Sequence, residues 1–310
     1  MNNLKIFFEG ENDTQKLIKD HFVFEYSNYD DANLIVSNKI EMGEYSSKKI
    51  QKAISSYSNI PKTILILLIS DNSSSFKIPN NVILFRTSIL KSLKHPNEFL
   101  LPYVWECFDE PEPPLNKTNK PIIGFCGNVK NDLGKRLTAI KHLKNNPFFN
   151  CNFILRDQFW GGKPHDKDLK KEFYDNITNS HFTICNRGRG NFAIRFYQTL
   201  SLGRIPVFID SDMILPFESE IDWNSIVVKG KDEIDLSNNL VHFWNSKNES
   251  EIIETQKKCA SVYNSYLSPE SFAKHLEKQI IYKMKTPSTD FSNKGFLKKA
   301  LLFLKSKKNK

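Results

Sequence analysis

Residues 181–212 read HFTICNRGRGNFAIRFYQTLSLGRIPVFIDSD, which contains a strand, a loop, a helix and a second strand in that order. The apolar runs HFTICN and RIPVFI are typical of buried strands, and the segment between them has helical spacing. Asn191 is a suitable N-cap for that helix and Gly203 a suitable terminator. This order predicts a βαβ unit, in which the two strands are parallel.

The loop of this unit carries two arginines and two glycines, at Arg187, Gly188, Arg189 and Gly190. In an open α/β sheet, ligands bind beyond the carboxyl ends of the strands, where this loop lies. Glycines let the main chain approach a ligand, arginines donate paired hydrogen bonds to phosphate, and a helix N-terminus adds partial positive charge. The loop therefore predicts an anion site, with a tight turn bearing solvated arginines as the alternative.

The first hundred residues show the same alternation of strands and helices. Their apolar runs read KIFFEG, ANLIVS, TILILLIS and NVILFR, and the segments 13–22 and 46–57 between them have helical spacing. Alternating strands and helices predict a parallel sheet that is covered by helices.

The alternation resumes in the second part of the chain. The strands PIIGFCGN and CNFILR precede helices at 133–143 and 167–178, and helices at 251–266 and 269–283 close this part. Ser268 is the expected N-cap of the last helix. The sequence thus predicts an α/β fold with two doubly wound lobes.

Residues 109–121, DEPEPPLNKTNKP, contain four prolines and separate these lobes, because proline interrupts helices and strands. A length of 310 residues suits two globular units at roughly 150 residues each. We assign an N-terminal lobe to 1–110, a linker to 111–120, a C-terminal lobe with closing helices to 121–284 and a basic tail to 285–310.

Composition excludes several classes of protein. Hydrophobic residues make up 39% and charged residues 25%, as in soluble globular proteins. The run TILILLIS is far shorter than the ~20 residues of a membrane-spanning helix, and the N-terminus lacks a signal peptide, so we expect a cytoplasmic location. The five cysteines lack CxxC spacing and are expected to be reduced core thiols; the seven histidines lack paired spacing, so no metal site is predicted.

The net charge of +9 is concentrated at the end of the chain, where residues 283–310 contain nine lysines and a single acid, Asp290. The rest is nearly neutral and has no nucleic-acid-binding motif, so no nucleic-acid partner is expected. Residues 294–310 have the pattern of a basic amphipathic helix suited to an anionic membrane surface, with a frayed terminus as the alternative.

The stretch from residue 183 to residue 223 resembles the core of the exostosin family of glycosyltransferases. That family typically has a Cys-Pro-Arg-Gly loop, an Arg-Phe-Tyr-Glu helix, a Gly-x-Ile-Pro-Val strand and a Leu-Pro-Phe…Ile-Asp-Trp segment. The corresponding residues here are 185–188, 195–198, 203–207, 215–217 and 221–223. Order and spacing agree, and the resemblance covers roughly residues 120–280, including IGFCGN and DQFWGGK, which are similar to segments of short bacterial members. It is weak over the first lobe.

The resemblance implies a GT-B fold, in which two Rossmann-like lobes face a cleft and the C-terminal lobe holds the nucleotide. It implies transfer of a sugar, with inversion, from a UDP-sugar to a saccharide or lipid-linked saccharide acceptor. No cofactor and no essential metal are expected. With such an activity, we expect a bacterial enzyme that takes part in the synthesis of capsule or lipopolysaccharide. We expect it to lie at the inner face of the plasma membrane as a peripheral protein. The alternative is a nonenzymatic nucleotide- or nucleic-acid-binding protein that uses the basic loop and tail.

Further donor-binding residues are expected at the ends of strands and on the helix of the βαβ unit. Arg195 and Gln198 are three residues apart and share one helix face. Gln198 replaces the usual glutamate of the family and Asn186 the usual proline, so donor affinity or donor choice is expected to differ. The donor-binding set comprises Gly127, Asn128, Arg136, Arg156, Arg187, Gly188, Arg189, Gly190, Arg195 and Gln198.

Direct displacement requires a general base that deprotonates the acceptor hydroxyl. Glu9, Glu11 and Asp13 follow the first strand and are the first candidates, with Glu106 as a further possibility.

Other side chains of the second lobe are expected to have structural roles. The sequence DSD at 210–212 has the form of a metal-binding DxD motif, but a turn and cap role is expected for its acids. Phe159 and Trp160 precede two glycines in a loop and are expected to pack in the core, with packing against a sugar as the alternative.

Overall fold

The computed structural model describes residues 4–10, 25–104, 106–130 and 135–286, and two parallel sheets organise these residues. The predicted Glu11, Asp13, helix 13–22 and basic tail 294–310 lie outside the described residues. Within the described part, no helix combines the length and apolar character required to cross a bilayer.

The first lobe contains a six-stranded sheet in the order β2-β1-β3-β4-β5-β6, with every pair parallel. A helix, α1 (Ser47–Ser55), connects β3 to β4 and begins at the N-cap Ser46. The strands are β1 (Lys5–Phe8), β2 (Glu25–Tyr26), β3 (Leu34–Val36), β4 (Thr63–Leu68), β5 (Val82–Arg86) and β6 (Glu98–Leu100).

The second lobe contains a five-stranded sheet in the order β11-β10-β9-β7-β8, again with every pair parallel. Its strands are β7 (Ile122–Asn128), β8 (Asn150–Arg156), β9 (Phe182–Ile184), β10 (Ile205–Ile209) and β11 (Val228–Gly230). Its helices are α2 (Lys135–Asn145), α3 (Lys167–Thr178), α4 (Ile194–Ser201), α5 (Glu233–Asn245), α6 (Glu249–Val262) and α7 (Pro269–Lys285).

Buried strands form the centre of each lobe. β4, with its sequence TILILL, is buried over five of its six residues, as expected for a strand with helices or loops on both faces. One apolar cluster extends from Ile6 and Leu65 of the first sheet to Phe125 and Phe196 of the second lobe. The predicted arrangement of two doubly wound α/β lobes, which is that of the GT-B fold, is therefore confirmed.

The linker region 111–120 contains neither helix nor strand and lies against the second lobe. The Leu115 N–H donates to Gln256 Oε1 at 3.0 Å, and Gln256 Nε2 donates back to the Leu115 carbonyl at 2.8 Å. The ammonium of Lys117 donates to the Trp244 carbonyl at 2.9 Å. These bonds fasten the segment to helices α5 and α6.

Two predicted helix boundaries differ in outcome. Gly203 ends α4 with a φ of +67°, a conformation that glycine adopts without strain, so the predicted terminator is confirmed. The predicted N-cap at Asn191 is wrong, because α4 begins at Ile194 and the cap position is Ala193. The side chain of Asn191 instead makes hydrogen bonds at the contact between the lobes.

Candidate functional site

A cavity of about 560 Å³ lies at the carboxyl ends of strands from both lobes. The second lobe contributes the ends of β7 and β8 and the loop between β9 and α4, and the first lobe contributes the loop after β4. This is the position at which open α/β sheets bind ligands. Nine of the ten predicted donor residues line the cavity, namely Gly127, Asn128, Arg136, Arg156, Gly188, Arg189, Gly190, Arg195 and Gln198.

Arg195 is held in the cavity wall by main-chain carbonyls. Its Nη2 donates to the Cys126 carbonyl at 2.7 Å and its Nη1 to the Ile184 carbonyl at 3.3 Å, and its guanidinium lies 4.4 Å from the centre of the Phe125 ring. Its Nε is buried and has no hydrogen-bond partner among the described residues. Burial, with a contribution from the charge of Arg136, lowers the pKa of Arg195 to about 10, so the side chain is still charged at neutral pH.

Arg136 lies beside Arg195 and is also held by carbonyl groups. Its Nη1 donates to the Asn128 carbonyl at 2.7 Å and its Nη2 to the Asn186 carbonyl at 2.9 Å. Both acceptors lie at or just beyond the ends of strands β7 and β9. Two guanidinium groups are thus fixed next to each other on the same wall, where they produce a strongly positive field.

Gly127 allows Arg195 to reach this position. Its φ is +153°, and a Cβ atom there would lie 2.5 Å from Nη2 of Arg195. Any side chain at residue 127 would therefore displace the guanidinium. The glycine at the end of β7 is required for close packing of an arginine against the strand.

The loop between β9 and α4 is built on Asn191 and Arg187. Arg187 does not line the cavity, because its guanidinium donates to the carbonyl of Arg189 at 2.8 Å and to Oδ1 of Asn191 at 3.1 Å. The Asn191 amide in turn donates to the Ile89 carbonyl of the first lobe at 2.8 Å and to the Asp212 carbonyl at 3.1 Å. Arg187 shapes the loop, and Asn191 attaches the loop to the other lobe.

Arg189 contacts the first lobe directly. Its guanidinium lies 4.1 Å from the centre of the Tyr45 ring, a cation–π contact between residues of the two lobes. The next residue, Gly190, leaves no room for a side chain, because a Cβ atom there would lie 2.6 Å from both Asp71 Oδ1 and Phe192 Cε1.

Gln198 connects the helix α4 to the chain that crosses between the lobes. Its Nε2 donates to the Glu106 carbonyl at 2.8 Å, and the residue is 5% exposed. An ionised glutamate at residue 198 has no proton to donate to that carbonyl, so the amide makes a contact that the usual family residue cannot make.

Residues 156–170 form a second wall of the cavity. Arg156 donates from Nη2 to the Leu169 carbonyl at 3.1 Å and to the Glu172 carboxylate at 2.5 Å. The prediction that Phe159 and Trp160 pack in the core is wrong: they are 57% and 42% exposed and line the cavity. The chain turns with positive φ at Trp160, at +54°, and at the two following glycines, which directs this loop outward.

The acids near the cavity differ from those expected. Glu9 does not line it, because its carboxylate accepts a hydrogen bond from the buried hydroxyl of Tyr57 inside the first lobe. Glu106 lines the cavity, and so does Asp71, which sequence reasoning missed. Asp71 follows the strand TILILL. Its position beyond the carboxyl end of a buried strand, where α/β sheets bind ligands, is the feature of the sequence that indicates it.

The acids of the DSD sequence have the expected turn and cap role. Oδ1 of Asp210 accepts from the Asp212 N–H at 3.0 Å, and the Asp212 carboxylate accepts from the N–H and the hydroxyl of Ser92 in the first lobe, at 3.0 and 2.5 Å. Within the described ranges, no three His, Cys, Asp or Glu side chains cluster as metal ligands would.

Charge at the cavity is predominantly positive. Its described lining contains two acids, Asp71 and Glu106. The lysines and arginines of the lining are Arg136, Arg156, Lys163, Lys170, Arg189 and Arg195. Such a cavity favours an anionic ligand.

Comparison with known proteins identifies the family to which this chain belongs. The chain is 34% identical over 107 residues to the Exostosin-1 homolog of Caenorhabditis elegans, a match that covers 34% of this chain and 27% of the relative. It is 27% identical over 95 residues to the probable beta-1,4-xylosyltransferase IRX10 of Arabidopsis thaliana, covering 31% of this chain and 20% of the relative. The matched region therefore spans about a fifth to a quarter of these relatives' length.

The Exostosin GT47 domain model matches residues 42–240, which is more than half of the chain. The chain belongs to the exostosin GT47 family of glycosyltransferases. The match begins inside the first lobe, where the sequence motifs gave only a weak resemblance. Among solved structures, the catalytic domain of starch synthase IV from Arabidopsis thaliana, bound to ADP and acarbose, aligns with a TM-score of 0.44 and 10% identity over 82% of this chain and 73% of that one.

Proposed function

We propose that this protein transfers a sugar from a nucleotide-sugar donor, a UDP-sugar, to a saccharide acceptor with inversion at the anomeric carbon. The observation that carries the proposal is Arg195, a charged guanidinium fixed by two carbonyls in the cavity wall, with no carboxylate partner among the described residues. A diphosphate would supply the negative charge that the guanidinium of Arg195 does not receive from the protein. Arg136, which lies beside Arg195, could bind the same diphosphate.

The same two arginines suit the chemical step. When the bond between the anomeric carbon and the phosphate oxygen breaks, negative charge develops on the leaving nucleoside diphosphate. Fixed cations near that charge stabilise the transition state without any reorganisation at the moment of reaction. We propose that the cationic side chains of the cavity perform this role and that no essential metal or other cofactor is needed.

The acceptor saccharide is proposed to bind at the wall formed by Phe159 and Trp160. Exposed aromatic rings at the mouth of a polar cavity present apolar faces, against which the C–H groups of a sugar ring can pack. Because residues of both lobes line the cavity, an acceptor bound there would contact both of them.

A bacterial surface glycan, such as a capsule or lipopolysaccharide, is the proposed product, with a cytoplasmic enzyme peripheral to the inner face of the plasma membrane. The support is the lysine-rich sequence 294–310, whose composition suits an anionic lipid surface near a lipid-linked acceptor. Loss of binding to phosphatidylglycerol vesicles after deletion of 294–310 tests this part.

The donor site is tested by calorimetry with UDP, with a matched pair of variants, Arg195→Ala and Arg187→Ala. Arg195→Ala should weaken UDP binding by about 10- to 100-fold, the effect of losing a hydrogen bond to a charged group. Arg187→Ala removes the same charge from a residue outside the cavity lining and should weaken binding much less. Arg195→Lys keeps the charge and shows whether the guanidinium fork itself matters.

Circular dichroism shows whether each variant is folded. Equal loss in Arg187→Ala and Arg195→Ala, or no UDP binding by the folded wild type, would contradict the proposed donor site. Saturable UDP binding without sugar transfer to any acceptor would favour the nonenzymatic alternative.

A further inference from the structure

Asp71 is an acid of the cavity whose carboxylate has no structural partner. It is half-buried, it lines the cavity, and it makes no side-chain hydrogen bond or ion pair with any described residue. A carboxylate that stabilises a fold normally accepts hydrogen bonds or pairs with a cation. Neither oxygen of Asp71 is engaged in a hydrogen bond or ion pair of this kind among the described residues.

The main chain on both sides of Asp71 is rigidly held. Ser70 is 4% exposed, and its N–H donates to Thr87 Oγ1 at 3.0 Å while its carbonyl accepts from the same hydroxyl at 2.8 Å. Asn72 is also 4% exposed and donates from Nδ2 to the Tyr45 carbonyl at 2.6 Å. Asp71 is thus a free carboxylate between two fixed residues.

A buried ion pair, Arg86 with Glu98, supports the segment 70–72. Arg86 and Glu98 are separated by 2.6 Å and are 1% and 2% exposed, and Nη1 of Arg86 donates to the Asn72 carbonyl at 3.2 Å. Burying two charges costs free energy that an apolar pair of similar size avoids. The ion pair holds the loop after β4 in place. This support suits a functional side chain on that loop, because such side chains need rigid neighbours.

Asp71 faces the donor loop of the opposite lobe. Its Oδ1 would lie 2.6 Å from a Cβ atom at Gly190, so the carboxylate is in direct contact with the main chain of that loop. The carboxylate therefore stands on the first-lobe side of the cavity and the phosphate-binding arginines on the second-lobe side. An acceptor hydroxyl between them could meet both the anomeric carbon and a base.

The other acids are less suited to this role. Glu9 is engaged by the Tyr57 hydroxyl outside the cavity. Glu106 lines the cavity, but its side chain is exposed and lies 3.4 Å from the Tyr103 hydroxyl, and its carbonyl is used by Gln198. A base in water-exposed surroundings is less well positioned than one on a fixed segment.

We infer that Asp71 is the general base of the transfer reaction, an inference that rests on the proposed function. A carboxylate oxygen of Asp71 takes the proton of the acceptor hydroxyl while the acceptor's own oxygen forms the new bond to the anomeric carbon. The bond from the anomeric carbon to the phosphate oxygen breaks, and its electron pair leaves with the nucleoside diphosphate. Asp71 then releases the proton to water.

The test compares Asp71→Asn with Glu106→Gln and wild type in two assays. Release of UDP is measured with a panel of UDP-sugars in water and with simple oligosaccharides, and UDP affinity is measured by calorimetry. Asp71→Asn should slow UDP release by about 10²- to 10⁴-fold, the usual contribution of a general base, while UDP affinity is retained. Sodium formate should restore part of the rate to Asp71→Ala, because it supplies a mobile carboxylate.

Asp30→Asn is the matched control, since Asp30 is an exposed acid of the first lobe away from the cavity, and it should leave UDP release unchanged. Near-normal UDP release by Asp71→Asn, or a large loss in Glu106→Gln alone, would overturn the inference while leaving the proposed function in place. Failure of wild type to bind UDP at all would instead overturn the proposed function and this inference with it.

Discussion

Gly127 shows how one residue without a side chain determines the geometry of the cavity wall. Replacing it by alanine places a methyl group 2.5 Å from Nη2 of Arg195 and strains a main chain whose φ is +153°. We predict that Gly127→Ala weakens UDP binding by about tenfold or more, because the guanidinium loses its position, with a stability loss of about 1–3 kcal/mol. Calorimetry and urea unfolding measure the two effects.

Gly43→Ala is the matched control for this prediction. Gly43 also has a positive φ, of +83°, but no atom lies within 4 Å of an added Cβ, so only the main-chain strain is shared. UDP binding that is impaired equally in both variants would show that strain, rather than displacement of Arg195, is responsible.

Some residue roles could be predicted from the sequence and others could not. The glycines and arginines of the loop were recognisable because their chemistry suits a phosphate wherever the chain places them. The roles of Asn191 and Arg187 were not, because an asparagine before a helix is a suitable cap whether or not it bonds to another lobe. Asp71 follows a buried strand, which marks it as a residue of the sheet's ligand-binding edge, but its contact with Gly190 of the opposite lobe is visible only in the fold.

At the scale of elements, the loop at 157–166 supplies residues that line the cavity, and we propose that the acceptor binds there. Trp160 has a positive φ of +54° and a side chain that is 42% exposed at the cavity. We predict that Trp160→Ala weakens saccharide binding roughly five- to tenfold, since an aromatic contact is lost, and leaves UDP affinity unchanged. A glycan array identifies a saccharide that the wild type binds. Calorimetry on wild type and Trp160→Ala then measures the change in affinity for that saccharide and for UDP.

Tyr282→Ala is a control for this aromatic substitution, because Tyr282 is 67% exposed on α7 and does not line the cavity. Saccharide binding that survives Trp160→Ala, or that falls equally in Tyr282→Ala, would be inconsistent with an acceptor wall at this loop.

The contact between the linker and β7 depends on a neutral histidine. The Ile122 N–H donates to Nδ1 of His181 at 3.1 Å, and Nε2 of His181 lies 2.9 Å from the Asn116 carbonyl. Burial lowers the pKa of His181 below its ordinary 6.5. As the pH falls below 6.5, the unfolded chain takes up this proton before the folded one, so stability is present above that pH and is lost below it.

We therefore predict that the free energy of unfolding falls between pH 6.5 and the lowered pKa of His181, by up to about 1.4 kcal/mol per pH unit. Urea unfolding at a series of pH values measures this slope. His181→Asn keeps an acceptor for the Ile122 N–H but cannot titrate, so its slope should be smaller. Identical slopes in wild type and variant would mean that other groups account for the acid sensitivity.

The predicted helices and strands agree with the structure where the apolar pattern in the sequence is long. The helix predicted at 167–178 is α3 with the same limits, and the run TILILLIS contains β4. The edge strands β2 and β6 were not predicted, because two or three residues are too few for a period to be recognised. The helix α5 was also missed, and its polar surface explains why, since only four of its residues are buried.

At the scale of the whole molecule, the last acid of the DSD sequence, Asp212, joins the two lobes, while Asp210 caps the Asp212 N–H. The Asp212 carboxylate binds Ser92 of the first lobe, and nearby Lys91 pairs with Glu218 at 2.8 Å. Because these groups already have protein partners, we predict that UDP binds equally well in EDTA and in manganese and that UDP release persists in EDTA. Calorimetry and the release assay check both statements.

A requirement for manganese would show that the DSD acids, or others, bind a metal with the donor and would contradict the proposed role of the arginines. Asp212→Asn is informative in that case. It removes a carboxylate from the lobe contact, so it should lower the midpoint of thermal unfolding without creating or abolishing any dependence on metal.

The bonds of Asn191 have a mechanical consequence for turnover. The loop between β9 and α4 belongs to the second lobe and is proposed to bind the donor, yet Asn191 attaches it to Ser88 and Ile89 of the first. Rotation of the lobes away from each other would pull on this loop at the same time as it widened the entrance. Departure of the spent nucleotide and separation of the lobes are therefore expected to be a single event, and a hinge that opens slowly would limit the rate at which the enzyme resets.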